Sequence, residues 1–212
     1  MLFRSDLGSG DGRTVITAAK RGAHSTGIEY NPDMVELSKQ NAAKAGVTDK
    51  ATFIKADLFE TDFSKATVIT LFLLPDINLK LRPKILDLKP GTRIVSNTFT
   101  MGEWKDDETV TVDEAAGCSY YCTAHLWIVP AKVAGTWHSE QGDLALKQEF
   151  QMIQGSMKSG SESHAISNAK LRADQISFNA GNASYSGRVN GNTIEGTVTS
   201  GGKSTKWTAT RK

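Results

Sequence analysis

The stretch Asp6-Leu7-Gly8-Ser9-Gly10-Asp11-Gly12-Arg13 holds the residue types most readily turned to chemistry in this chain. Glycines at alternate positions let the backbone turn tightly and come close to a ligand, because no Cβ stands between them. A helical pattern follows at once, so its first N–H groups face the same crevice. Glu29 closes the next strand-like stretch, where a carboxylate can accept hydrogen bonds from both hydroxyls of a ribose. Asp57 follows a third such stretch and could accept from an adenine amine. The combination points to a nucleoside-bearing ligand. It also argues against a nicotinamide-dependent oxidoreductase, because a dinucleotide fingerprint would place its third glycine where Arg13 stands. Each acid has a plainer reading by itself: Asp6 and Asp11 as helix caps, Glu29 and Asp57 as surface acids at strand ends. Their joint spacing favours the ligand.

Residues of this kind need a sheet to hold them, and the first 130 residues read as one. A helix carrying Val15, Ile16, Ala18 and Ala19 stops at Gly22, and Ser25 to Glu29 reads as a strand. Asn31 caps a helix with Pro32 at its first position. That helix turns Met34, Val35, Leu37, Ala42 and Ala45 inward and ends at the C′ glycine Gly46. Ala51–Ala56 and Thr92–Asn97 read as strands, and Thr67–Leu73 as a strand buried on both faces. Ile77–Leu88 reads as a helix that Pro83 should shorten or bend. Strands alternating with helices imply a parallel sheet with right-handed crossovers. Thr109–Val112 and Tyr120–Val129 then suggest an antiparallel closing pair. The fold class is therefore α/β: a Rossmann-like, mostly parallel sheet with antiparallel last strands.

Four segments in order, Asp6–Gly12, Gly27-Ile28-Glu29-Tyr30, Ala56-Asp57-Leu58-Phe59 and Thr70-Leu71-Phe72-Leu73-Leu74-Pro75, resemble the successive motifs of class I S-adenosylmethionine (SAM)-dependent methyltransferases. The Asp-Leu-Gly-Ser-Gly-Asp-Gly-Arg and Ile-Glu-Tyr-Asn segments more narrowly resemble bacterial relatives of the mitochondrial lysine methyltransferases that act on an ATP-synthase subunit. The resemblance covers roughly residues 5–130. It implies SAM as cofactor and a protein lysine, or a small molecule, as methyl acceptor. It also implies roles. Asp6 and the Gly8-Ser9-Gly10 backbone hold the methionine end, Glu29 the ribose, Tyr30 the adenine face, and Asp57 the adenine amine with the Leu58 backbone beside it. Thr70 and Leu71, with the residues to Leu73, line the floor near the sulfonium. No general base stands out; Asp76 and Asn78 lie near the expected mouth.

The chain departs from that pattern twice. Five residues precede Asp6, where family members carry a longer segment with a helix over the cofactor, so a shortened first strand and weak SAM affinity are expected. Leu73-Leu74-Pro75 stands where enzymes that methylate base or glutamine amides carry Asn/Asp-Pro-Pro-aromatic, which lowers the odds of a nucleic-acid amine as substrate. The alternative function is a non-catalytic homologue whose second half serves binding or assembly.

That second half, residues 131–212, changes rhythm to period two with frequent turns. Asp143–Phe150, Gln175–Asn179, Ala183–Val189, Thr193–Val198 and Ser204–Thr210 read as strands, with Asn190-Gly191 as a hairpin signal. An all-β antiparallel meander or small barrel is expected, with Trp137 and Trp207 packed together inside and Ser156–Ser167 as a mobile loop. Orienting a substrate and forming a homo-oligomer are its candidate roles.

Composition is that of a globular protein, with 39% hydrophobic and 23% charged residues and a net charge of +2. Residues 1–130 carry 15 Lys and Arg against 17 Asp and Glu, and residues 131–212 carry 10 against 6. Neither half has the charge of a nucleic-acid binder. No segment is apolar enough to span a bilayer and no leader pattern opens the chain, so a cytoplasmic location is expected. Cys118, Cys122 and His125 have too few companions for a zinc site, and the cysteines read as two thiols on or near a strand.

Overall fold

A computed structural model describes residues 3–113, 115 and 117–212. The chain divides into two compact units, Met1–Ile128 and Val129–Lys212.

The first unit is built on a sheet of seven strands in the order β3-β2-β1-β4-β5-β7-β6. These are β1 (Phe3–Leu7), β2 (His24–Glu29), β3 (Ala51–Lys55), β4 (Val68–Leu71), β5 (Arg93–Asn97), β6 (Glu108–Thr111) and β7 (Thr123–Ile128). The first five are parallel; β7 runs antiparallel to β5 and β6 to β7. From β1 the order runs outward both ways, to β2 on one side and β4 on the other. That is a topological switch point, where open sheets of this class leave a crevice at the carboxyl ends of the strands. Helices α1 (Arg13–Lys20) and α2 (Pro32–Lys44) bury Val15, Ile16, Ala19, Val35 and Ala42 against Ala51 and Phe53. Asn31 caps α2 by accepting from the Asp33 N–H at 2.9 Å. Leu37, expected to point inward, is exposed; Ser38 occupies the buried face instead, held by a hydrogen bond to the Gly10 carbonyl at 2.7 Å.

Helix α3 (Pro75–Leu86) starts at Pro75 and runs through Pro83. Proline there removes one intrahelical N–H, and the full burial of Leu81 and Ile85 holds the turn in place. The expected strand Thr67–Leu73 pairs only from Val68 to Leu71. Its neighbour β1 ends opposite Leu71, so Phe72 and the residues after it leave the sheet.

The second unit is a closed barrel of eight antiparallel strands. They are β8 (Gly135–Ser139), β9 (Gly142–Glu149), β10 (Met152–Ser159), β11 (Glu162–Arg172), β12 (Gln175–Ala180), β13 (Ala183–Asn190), β14 (Thr193–Ser200) and β15 (Lys203–Arg211). Closure comes from β15 pairing with β8 through Ala209, Thr210 and Arg211. Side chains fill the interior, as expected for a barrel of this strand number. Trp137 and Trp207 are both wholly buried and belong to one hydrophobic core, as expected. Arg211 lies over the Trp137 ring at 4.4 Å, whereas Phe178 and Tyr185 meet Trp207 edge-on at 5.8 and 5.2 Å. The segment Ser156–Ser167 is not a loop: it forms parts of β10 and β11, paired from Ser156–Ala165 to Ser159–Glu162. Its small polar residues face water from the exposed side of a hairpin. The hairpin after β13 turns at Gly191 and Asn192, since Asn190 itself pairs with Thr193.

Candidate functional site

The glycine turn is the first connection of the sheet, leading from β1 to α1. Gly8, Gly10 and Gly12 have φ of 74°, 52° and 80°, a region that side chains disfavour. Space is short as well: a Cβ on Gly12 would lie 2.7 Å from the Phe53 ring, and one on Gly8 2.7 Å from Leu73. The N–H groups of Gly8 and Ser9 both donate to the Ile28 carbonyl, at 2.8 and 3.1 Å, which ties the turn to the end of β2. Glu29 at that end receives the Gly10 N–H on Oε2 and the Asn31 N–H on Oε1, each at 3.0 Å. A carboxylate has about four acceptor positions, so Glu29 keeps capacity for two further donors.

Beneath the turn, Asp6 is nearly buried and accepts a short hydrogen bond from the Thr70 hydroxyl. The same hydroxyl oxygen accepts from the Arg4 guanidinium at 2.9 Å. Burial pushes the Asp6 carboxyl up to about 6; the Thr70 hydrogen bond and the Arg4 charge work against that rise without cancelling it. A cation and an anion thus stand side by side in a partly desolvated place.

A cavity of about 670 Å³ opens from these residues across the switch point, within the usual range for small-molecule sites. Of the residues singled out in the sequence, Asp6, Gly8, Ser9, Gly10, Thr70 and Leu71 line it. Glu29 borders it through Gly10. Tyr30, Asp57 and Leu58 do not line it and sit beyond the ends of β2 and β3. Tyr30 is 75% exposed, and Asp57 accepts the Phe59 N–H at 2.8 Å. Ser9 contributes a buried hydroxyl with no partner among the described residues.

Sequence reasoning misses Arg4, Met34, Val95, Asn97 and Ala124, which also line the cavity. Nothing local marks Val95, Asn97 and Ala124; strand order alone sets β5 beside β4 and β7 beside β5. Asn78 is no candidate base. It is wholly buried in α3, and its amide donates to the carbonyls of Phe99 and Thr100 at 3.4 and 3.3 Å. The two cysteines are corrected too: Cys118 and Cys122 form a disulfide, with their Cα atoms 5.8 Å apart. His125 turns instead to Asp106, at 3.0 Å.

A glycine turn at the switch point, an acid gripping it from β2, and a β7–β6 antiparallel pair at one edge define a domain of the Rossmann-like methyltransferase type. The family described as the ANTKMT methyltransferase domain matches residues 6–108. A protein-lysine N-methyltransferase of Saccharolobus islandicus is 44% identical over 112 residues, covering 51% of this chain and 70% of that protein. A mouse lysine N-methyltransferase named for an ATP synthase component is 38% identical over 105 residues, covering 49% of this chain and only 42% of that protein. A solved RNA methyltransferase from Salinibacter ruber, in complex with S-adenosyl-L-homocysteine, is 47% identical with a TM-score of 0.57, covering 62% of this chain and 82% of that one. The chain belongs to the ANTKMT-type family of SAM-dependent methyltransferases.

Proposed function

We propose that the first unit binds S-adenosylmethionine in the crevice at the switch point and transfers its methyl group to a protein lysine. The observation that carries this reading is the Glu29 carboxylate, fixed by the Gly10 and Asn31 N–H groups at the rim of the cavity and still able to accept from two hydroxyls. The residues present fit the cofactor. Asp6 and Arg4 offer opposite charges to a zwitterionic amino-acid end, Ser9 has an unused hydroxyl, and the glycine turn leaves room for close approach. Tyr30 would cover the adenine, with the Asp57 carboxylate and the Leu58 backbone at its edge; their place beyond the ends of β2 and β3 supports this. Thr70 and Leu71 would form the floor.

When bound, the cofactor supplies an electrophilic methyl group on sulfur. The protein's share is positioning, which can supply most of the acceleration for a reaction of this kind. A lysine amine must lose its proton before it attacks, and leaving water for the cavity favours its uncharged form by desolvation. The relatives named as lysine methyltransferases support a protein acceptor. The solved relative described as an RNA methyltransferase favours a second reading, methylation of RNA. The acidic balance of residues 1–130 speaks against it, because phosphate contacts dominate nucleic-acid affinity.

We assign residues 131–212 as an accessory domain to the methyltransferase domain of residues 1–130, with substrate orientation or self-association as its role. Its side-chain-filled interior supports that over ligand storage.

Thermal-shift measurements with SAM, S-adenosylhomocysteine and NAD test the first proposal. Stabilisation by the first two alone is expected, about 2.7 kcal/mol at a hundredfold excess over Kd. Stabilisation by NAD, or by none, would reject it. Radiolabel transfer from SAM to protein, and not to RNA, in a cell extract supplied with the chain selects the acceptor.

A further inference from the structure

Three aromatic rings gather at the carboxyl edge of the sheet, none of them fully buried. Phe72 follows β4, Phe99 follows β5, and Tyr121 precedes β7, whose antiparallel direction brings its start to the same edge. Phe72 stacks on Phe99 with centroids 5.9 Å apart, and Tyr121 meets Phe72 edge-on at 5.1 Å. Phe72 remains 50% exposed and Tyr121 58% exposed. Phe72 also lines the cavity, as do Asn97 and Ala124 from the neighbouring strand ends. The cluster is therefore continuous with the candidate cofactor site.

The backbone is strained to hold these rings in place. Thr98, immediately before Phe99, has φ of 64°, and Tyr121 itself has φ of 58°. For a β-branched threonine this is a true outlier, and such strain concentrates where function demands it. Several restraints maintain it. The Thr98 N–H donates to the Thr123 carbonyl at 2.7 Å, Asn78 binds the Phe99 and Thr100 carbonyls, and Arg82 donates to the Met101 carbonyl at 2.8 Å. The Cys118–Cys122 disulfide closes the loop that carries Tyr121.

We propose that Phe72, Phe99 and Tyr121 form the platform against which the acceptor lysine lays its methylene stem and amine on the way to the cavity. The inference rests on the methyltransferase reading above and specifies how the acceptor meets that site. Aromatic faces suit this occupant: they cover the apolar stem and attract the cation, and a methylated product, still charged but less hydrated, is attracted as well. The charge at this edge agrees in sign: Asp113 follows Val112, whose N–H donates to the Cys122 carbonyl at 2.9 Å, whereas Asp106 and Asp107 pair with His125 and the Ile128 N–H further along β7. Residues 1–130 are also net acidic, which favours a lysine-bearing surface over phosphates, so a stacked nucleobase is the disfavoured occupant despite the affinity of bases for aromatic rings.

The test is an NMR titration of the full chain saturated with S-adenosylhomocysteine. The probes are Nα-acetyl-lysine methylamide, its Nε-trimethyl form, the norleucine analogue and a short oligouridylate. Calorimetry with S-adenosylhomocysteine comes first; if the wild type does not bind it, the methyltransferase reading falls and takes the platform with it. If it binds, the lysine probes should shift resonances of Phe72, Phe99 and Tyr121, and the norleucine analogue should bind more weakly. Tyr121→Ala should weaken the lysine probes about tenfold, Tyr121→Phe should restore them, and both variants should keep the wild-type affinity for S-adenosylhomocysteine. Equal lysine binding by wild type and Tyr121→Ala would overturn the platform, as would shifts that map elsewhere. Tighter binding of the oligouridylate to the same rings would replace lysine by a nucleobase and overturn it too.

Discussion

The two units spend their side chains in opposite ways. In the barrel, every strand is paired on both sides and the interior is filled by Trp137, Phe178, Tyr185, Trp207 and the aliphatic residues around them. In the parallel sheet, the strand order leaves a gap at the switch point. There the chain tolerates a buried acid and aromatic rings in water. Filling a space gives stability; leaving one open gives a place for a ligand. The contrast explains why the candidate site lies in the first unit, although both units bury large aromatic rings.

The contrast breaks most visibly in the barrel. Trp207→Ala removes a wholly buried ring and should cost about 3–5 kcal/mol. Differential scanning calorimetry should show the barrel's transition falling while affinity for S-adenosylhomocysteine stays unchanged. A parallel loss of cofactor affinity would mean that the two units do not divide the work in this way.

In the sheet, the largest expected effect is a dependence on pH. The Asp6 carboxyl titrates at about 6 when folded, against an ordinary value near 3.8. The folded state therefore holds its proton more tightly, and unfolding releases it between about pH 4 and 6. This group's contribution to stability is fully present below about pH 4 and is lost as pH rises through 6, on the order of 3 kcal/mol over that window. Cofactor binding should move the other way. The ammonium end of S-adenosylhomocysteine needs the Asp6 anion, so its affinity should fall as pH drops below 6, while barrel melting follows no such step. Thr70→Val removes a hydrogen bond that lowers the Asp6 value and should shift the midpoint of that affinity profile upward.

Glu29→Gln sharpens the comparison further. The amide can accept one of the two backbone N–H groups but not both, and hydrogen bonds to a charged partner contribute about 1.5–3 kcal/mol. Calorimetry should show an affinity loss of about tenfold to a hundredfold, with the barrel transition in place. The smallest effect belongs to the disulfide. Cys118→Ser releases a loop whose ends are four residues apart in sequence and should lower the first unit's stability by about 2 kcal/mol. Acceptor binding should weaken more than cofactor binding, because the loop carries Tyr121 and not the glycine turn.

Some of this is written in local sequence. Three alternating glycines before a helix pattern announce a tight turn at a strand's end, and an acid closing the next strand must lie beside it in a parallel sheet. Asn31-Pro32 and Gly46 bracket a helix because capping depends on residues a turn apart. Alternating apolar residues with glycine turns after Pro130 announce antiparallel strands. Each signal works because its physical cause lies within a few residues.

What only the tertiary structure decided depends on residues far apart in the chain. Period two cannot tell an open meander from a barrel; the pairing of β15 with β8 does. Serine and glycine at 156–167 suggest a loop because a hairpin exposed to water carries the same composition. Cys118 and Cys122 pair because the path of the loop before β7 brings their Cα atoms within 5.8 Å. Arg4 and Asp6 sharing the Thr70 hydroxyl, and three rings at one edge, follow from the order β1-β4-β5-β7. Local chemistry sets what each segment can be, whereas the order of strands in the sheet sets which segments meet.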